Sequence, residues 1–109
     1  MNTPKHTPGP WYPHYAKADH CLSSSVWGQE PGNQVAVIGG KSLEAMNANA
    51  SLIAAAPAMY LELKEGLVLL EASHHDMVDM YGIDSLQAKT VWERIESTRT
   101  ALAQAEGRG

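Results

Sequence analysis

The strongest pattern in the chain is a pair of apolar stripes in its C-terminal half. In each stripe the residues recur in alternating steps of three and four, the spacing that puts side chains on one face of an α-helix. Gly82 ends the first predicted helix, and Asp84 or Ser85 caps the second. Since so short a link makes neighbouring helices antiparallel, residues 57–81 and 85–105 are predicted to form a helical hairpin. The first stripe consists of Tyr60, Leu63, Leu67, Leu70, His74, Met77 and Tyr81. The second consists of Ala88, Val91, Ile95, Thr98, Leu102 and Ala105.

The N-terminal part of the chain has a different pattern. Short runs at 11–15, 21–27 and 34–38 are separated by turn-forming residues, which predicts a small antiparallel sheet within residues 11–40. Residues 1–10 hold three prolines, so an extended arm is expected there.

An Ala-rich segment joins these two parts. Residues 42–56 are predicted to form a short helix, which Pro57 ends while starting the next one. The fold class is therefore α+β: an antiparallel sheet, a short helix and a C-terminal antiparallel helical hairpin. A chain of 109 residues is expected to form a single domain over residues 1–109, with residues 106–109 fraying.

Charge and composition narrow the classes of function. The formal net charge of −4 argues against a nucleic-acid-binding protein, although one or two arginines suffice to hold a small anion. The N-terminus has no signal-peptide pattern and no run is long enough to cross a membrane, so a cytoplasmic protein without membrane attachment is expected. The three Trp and four Tyr, with no Phe, suit half-buried positions and interfaces, and a chain this small is expected to form homo-oligomers.

Three groups of residues invite a chemical interpretation. The N-terminal histidines and Cys21 lack the paired spacing of a zinc site, so neither a metal nor another cofactor is predicted. Glu71, His75 and Asp79 line one helical face, as an acid–base pair, as half a metal site or, more simply, as a solvated flank. The sequence at 39–42, GGKS, follows a strand as a phosphate-binding turn does, but it lacks the longer Gly-rich lead-in. No nucleophile arrangement is present, and we do not predict an enzyme.

Two motifs carry a resemblance to known proteins. HTPGPW at 6–11 and NASLIAAAP at 49–57, followed by a long leucine-bearing helix, resemble a set of small phage and prophage proteins. Those proteins typically carry HTPGPW and NARLIAAAPELL before a helical hairpin. Ser51 stands here where that family has arginine, and Ala58 where it has an acidic residue, so any anion site built on that arginine is lost or moved.

The layout also resembles the first type of Thoeris anti-defence proteins. Those phage proteins form dimers and higher oligomers that sequester cyclic-nucleotide-type immune signals. The resemblance implies a phage-encoded sponge in the host cytoplasm that binds a small anionic nucleotide signal without catalysis. Aromatic, amide and guanidinium groups suit such a ligand, and the candidate ligand-binding residues are Trp11, Trp27, Asn49, Arg94 and Arg99.

Other functions stay open at this point. The acidic surface and the hairpin would also suit an inhibitor that binds a host defence protein, such as a CRISPR effector. A small structural or regulatory phage protein without a pocket is a third hypothesis, and a hydrolase using the face of His75 is a fourth.

Overall fold

A computed structural model describes residues 6–17, 23–29 and 33–108 of the chain. Three short strands form an antiparallel sheet in the order β1-β2-β3. In the register of the central strand, Val26 lies opposite Pro13 of β1 and Ala36 of β3, and the pairing of β2 with β3 is irregular between Val26 and Trp27. The strands are β1 Tyr12–His14, β2 Ser24–Trp27 and β3 Gln34–Ile38.

Helix α1, Leu43–Ala54, packs against the sheet in the first compact unit, which ends at Met59. Ser42 caps the helix by accepting a hydrogen bond from Ala45 N at 3.1 Å. The core consists of Val26 and Ile38 from the sheet and Ala50 from α1, all buried. An alanine at this point allows the helix to approach the sheet closely.

A polar cluster is buried beside this core. Ser24 is 2 % exposed, and its hydroxyl donates to Asn47 Oδ1 at 2.6 Å. The main-chain N–H of Ala16 donates to the same Asn47 oxygen at 2.9 Å. A buried polar group must find such partners to avoid a desolvation penalty, so Asn47 fixes α1 to the strands by hydrogen bonds.

The second compact unit begins at Tyr60 and contains the hairpin of α2 and α3. Between them Gly82 adopts a positive φ of 94°, and Ser85 caps α3 by accepting from Ala88 N at 3.1 Å. The antiparallel arrangement follows from cross-helix contacts, since Glu71 pairs with Arg99 while Tyr60, nearer the start of α2, bonds Glu106 near the end of α3. The helices are α2 Ala56–Tyr81 and α3 Leu86–Ala105.

The hairpin buries mainly one stripe of α3. Ala88, Ile95 and Leu102, seven residues apart, are buried, whereas no residue of α2 is fully buried. A seven-residue repeat is the spacing of a coiled-coil seam.

The structure confirms the predicted α+β class and its order of sheet, short helix and hairpin. Helix boundaries agree to within two residues, and Pro57 is the second residue of α2. The single-domain organisation stays a prediction, and the predicted arm and strand residues at 1–5 and 21–22 lie outside the described part of the chain. None of the described helices combines the length and apolarity needed to cross a membrane.

Candidate functional site

A groove lies on the hairpin, at the end away from Gly82. It encloses about 460 Å³ between the first turns of α2 and the last turns of α3. A volume in this range suits a small-molecule ligand. The groove is lined by Lys64, Leu67, Arg99, Leu102, Ala103, Glu106 and Arg108.

The helical repeat explains why cations border this groove. Lys64 lies three residues before Leu67 on α2, and Arg99 lies three residues before Leu102 on α3. Residues three apart are neighbours on a helix surface, so each cation stands beside a stripe residue.

The third cation, Arg108, reaches the groove through the turn that ends α3. Gly107 has a positive φ of 76°, Arg108 N donates to Ala103 O at 2.8 Å, and Gly107 N donates to Gln104 O at 3.1 Å. These two bonds form a Schellman motif, in which glycine takes the left-handed position. Glu106 to Arg108 thus follow α3 in a defined turn, and the fraying expected for residues 106–109 stays a prediction.

Each cation of the groove already contacts an aromatic ring or a carboxylate. Arg99 Nη2 lies 2.8 Å from Glu71 Oε2, and its guanidinium carbon lies 5.4 Å from the centre of the Trp92 ring. Lys64 Nζ lies 5.2 Å from the centre of the Tyr60 ring. These contacts hold extended side chains in place, which lowers the entropy lost when a ligand binds.

Among the residues that the structure describes, Glu106 is the one carboxylate in the lining of the groove. It accepts hydrogen bonds from the Tyr60 hydroxyl and from the Arg108 guanidinium. The hydrogen bond from Tyr60, followed by that from Arg108, lowers the pKa of Glu106 below its ordinary value, and the same bond raises the pKa of Tyr60. Glu106 thus stays ionised and orients Arg108.

A smaller cavity of about 250 Å³ lies at the opposite end of the hairpin, near the turn. His74 and Trp92 face each other there, with ring centres 5.3 Å apart and planes inclined by 46°. Lys89 supplies the cationic group of its lining. The position of His74 in the apolar stripe thus reflects packing against an aromatic ring.

Among the predicted ligand-binding residues, Arg99 lines the groove and Arg94 does not. Arg94 is exposed, and its main-chain oxygen accepts a bond from Thr98 Oγ1 at 2.8 Å. Asn49 is also exposed, on α1. Lys64 and Arg108 were missed, although the position of Lys64 beside the stripe and the glycine before Arg108 were both visible in the sequence.

The two predicted tryptophans have defined partners in the first compact unit. Trp11 Nε1 donates to Thr7 O at 3.1 Å, and the ring packs against the core of Val26, Ile38 and Ala50. Trp27 Nε1 donates to Ser25 Oγ at 2.9 Å. Trp11 therefore anchors the HTPGPW segment, and binding of a ligand by either tryptophan stays a prediction.

The structure brings the two sequence motifs together. A Cβ placed on Gly9 of HTPGPW would lie 2.6 Å from Pro57 Cβ, the proline that closes the second motif. Ser51, within the second motif, shares a hydrogen bond of 2.8 Å with the hydroxyl of Tyr15. Both motifs thus contribute packing and hydrogen bonds within the first unit.

The histidine face of α2 resembles a solvated flank. His75 Nδ1 lies 3.4 Å from Asp79 Oδ2, and the two side chains are 76 % and 68 % exposed. Glu71, the third member, is paired with Arg99. Within residues 6–17, 23–29 and 33–108, no three His, Cys, Asp or Glu residues are grouped closely enough to hold a metal ion.

Comparison with known protein families gives a match over the whole chain. Over residues 1–109 the chain matches the family described as Salmonella phage P22 protein Y8K6. No curated protein sequence and no solved structure matches the chain.

Proposed function

Because the chain belongs to the family of Salmonella phage P22 protein Y8K6, and is thus a small phage protein, we propose that it is an anti-defence protein that sequesters an anionic signal of the cyclic-nucleotide type. It acts by binding and performs no catalysis. The ligand site is the groove of the hairpin.

The observation that carries this proposal is the charge of the groove. Among the described residues, its lining contains three cations, Lys64, Arg99 and Arg108, against one carboxylate, Glu106. Arg99 also pairs with Glu71 and Glu96, which lie outside the lining. The chain as a whole has a formal net charge of −4, so this concentration of positive charge is local. Such a site attracts an anion that the rest of the surface repels.

The chemistry of the lining fits phosphate groups. Two guanidinium groups offer forked donors that match phosphate oxygens, and lysine adds a point charge. The floor of the groove is apolar, formed by Leu67, Leu102 and Ala103. An apolar floor with charged edges suits the flat base and the charged backbone of a nucleotide.

Binding without turnover is consistent with the side chains present. In the described part of the chain, the groove lining offers no serine, threonine, cysteine or histidine side chain. Glu106 is occupied by hydrogen bonds from Tyr60 and Arg108. The lining therefore holds charge in fixed positions and provides no nucleophile beside a base.

The test is a thermal-shift measurement of the purified protein with cyclic ADP-ribose isomers and cyclic oligonucleotides, followed by mass spectrometry of ligand released on heating. We expect one ligand to raise the melting temperature and to be recovered intact. Recovery of a cleaved product would contradict sequestration, and the absence of any shift across the panel would contradict the proposed ligand class.

Variants locate the site. Lys64→Ala and Arg108→Ala each remove one cation of the groove, and each is expected to weaken binding about tenfold. Lys17→Ala, at an exposed lysine in the first compact unit, is the matched control and should leave the affinity unchanged. If Arg94→Ala weakens binding while Lys64→Ala does not, the ligand binds outside the groove.

A further inference from the structure

The outer face of α2 has an unusual composition. Nine residues between positions 60 and 81 lie within one sector of the helix surface, about 120° wide at 3.6 residues per turn. All nine are exposed. Five are apolar, four are acidic, and none is lysine or arginine. The apolar residues are Leu61, Val68, Leu69, Ala72 and Met80, and the acidic ones are Glu62, Glu65, Asp76 and Asp79. We call these nine residues the α2 outer face.

The apolar side chains of this face are largely uncovered. Leu61 is 58 % exposed, Val68 64 %, Leu69 71 % and Met80 67 %. The outer face of α3 differs, since its exposed positions are mainly polar, such as Gln87, Thr90, Glu93, Ser97 and Gln104, with Leu86, 78 % exposed at the start of the helix, as an apolar member. Apolar side chains gathered on one face of one helix mark a protein-binding surface.

A second copy of the chain is a poor occupant for this face. If two α2 helices pack antiparallel through Leu69 and Ala72, Glu62 of one copy faces Asp79 of the other, and Glu65 faces Asp76. If they pack in parallel, each acid faces its own equivalent. Like charges placed opposite one another destabilise an interface, so both arrangements are disfavoured.

We propose that the α2 outer face binds a basic amphipathic helix of another protein. An apolar stripe on that helix covers Leu61, Val68 and Leu69, and its lysines or arginines pair with the flanking acids. From Leu61 to Met80 the face is about 28 Å long at 1.5 Å per residue, which matches a helix of about five turns. This inference is independent of ligand binding in the groove, whose cations lie outside the face.

The probe is a synthetic helical peptide of about 18 residues, five turns, with leucine at i, i+3, i+4 and i+7 and lysine elsewhere. Two peptides serve as comparisons: one with glutamate in place of lysine, and one with the leucine and lysine residues scrambled. Fluorescence anisotropy measures binding. We expect the ordered basic peptide to bind at least about tenfold tighter than either comparison. Equal affinity for the glutamate peptide or for the scrambled peptide would overturn the proposal.

Charge reversal provides the stricter test. Glu65→Lys combined with Asp76→Lys leaves two acids and two lysines on the face, so it should abolish the preference for the lysine peptide over the glutamate peptide. Glu93→Lys, at an exposed acid of α3, is the matched control and should keep the preference for lysine. If the double variant still prefers the lysine peptide, the acids of α2 do not select the partner and the proposal fails.

Self-association is the competing outcome. Leu69→Lys places a charge in the centre of the face, and sedimentation equilibrium compares its mass with that of the unsubstituted protein. We expect the same mass for both and weaker peptide binding by Leu69→Lys. Dissociation of an assembly by this substitution would show that a second copy occupies the face, and would overturn the proposal. Nucleotide binding by the same variant reports separately on the groove.

Discussion

The side-chain amide of Asn47 pairs with both main-chain groups of Ala16: Nδ2 donates to Ala16 O at 3.0 Å, and Oδ1 accepts from Ala16 N at 2.9 Å. The same Oδ1 accepts from the hydroxyl of Ser24. Asn47 thus ties α1 to Ala16, two residues beyond the end of β1, and to the first residue of β2. Loss of this side chain leaves the buried Ser24 hydroxyl and the Ala16 main chain without these partners.

Asn47→Ala is therefore expected to lower the free energy of unfolding by about 1–3 kcal/mol. Asn49→Ala, an exposed position on the same helix, should change it by less than about 0.5 kcal/mol. Urea unfolding followed by tryptophan fluorescence in a Trp92→Phe background measures this, because Trp11 and Trp27 then report on the first unit. Equal effects of the two substitutions would contradict the role given to Asn47.

The contact between Gly9 and Pro57 gives a second prediction. A Cβ at position 9 would lie 2.6 Å from Pro57 Cβ and 3.0 Å from Pro57 Cγ, atoms of a rigid ring that cannot move aside as a flexible side chain would. Gly9→Ala should destabilise the first unit by about 1–3 kcal/mol, as overpacking does.

Gly39→Ala is the matched control for this substitution. No atom lies within 4 Å of a Cβ at Gly39, so alanine fits there without a clash. Because alanine restricts the unfolded chain more than glycine does, Gly39→Ala is expected to be neutral or stabilising by up to about 1 kcal/mol. Thermal unfolding of both variants, followed by tryptophan fluorescence, makes the comparison. A neutral Gly9→Ala would show that the two sequence motifs do not depend on their contact.

The hydrogen bond between Tyr60 and Glu106 predicts how the stability of the hairpin varies with pH. The pKa of Glu106 is lowered in the folded state, so the ionised carboxylate stabilises the hairpin at pH values above the ordinary pKa of 4.5. This stabilisation is lost as the pH falls through the lowered pKa. The pKa of Tyr60 is raised in the folded state, so the protonated hydroxyl stabilises the hairpin at pH values below the ordinary pKa of 10.0. This stabilisation is lost as the pH rises through the raised pKa.

Tyr60→Phe tests this window. The substitution should destabilise the hairpin most between these two pH values, and the difference from the unsubstituted protein should shrink on both sides. Far-UV circular dichroism during urea unfolding measures the stability at each pH. Tyr81→Phe, at an exposed tyrosine of the same helix, is the control and should have no such profile. If the stability difference between Tyr60→Phe and the unsubstituted protein is the same at every pH, the Tyr60–Glu106 hydrogen bond is not the source of that difference.

Local signals in the sequence predicted most of the fold. Ser42, Ser85 and Gly82 mark helix ends through bonds to residues one turn away, and these ends were predicted to within two residues. The stripe of α3 predicted Ile95 and Leu102 as inward-facing, because helical period alone determines which residues share a face.

The groove and the polar cluster could not be predicted from local sequence patterns, because both are formed by residues that are distant in the chain. No local pattern in the sequence separates Asn47 from Asn49, and the distinction comes from the rotation of α1, which buries Met46 and Ala50 beside Asn47. Lys64 and Arg108 meet only after two helices pack antiparallel and a glycine turn redirects the tail. Their proximity is a property of tertiary structure.

The hairpin should also show which apolar residues maintain its structure and which are available for binding. Ile95 is 1 % exposed in the seam of α3, so Ile95→Ala should lower the free energy of unfolding by about 2–5 kcal/mol. Val68, 64 % exposed on the α2 outer face, fills no cavity, and Val68→Ala should cost less than about 0.5 kcal/mol. Urea unfolding followed by far-UV circular dichroism gives both values. A large loss in Val68→Ala would mean that this face is already covered by the protein itself, because only a packed side chain leaves a cavity when it is truncated.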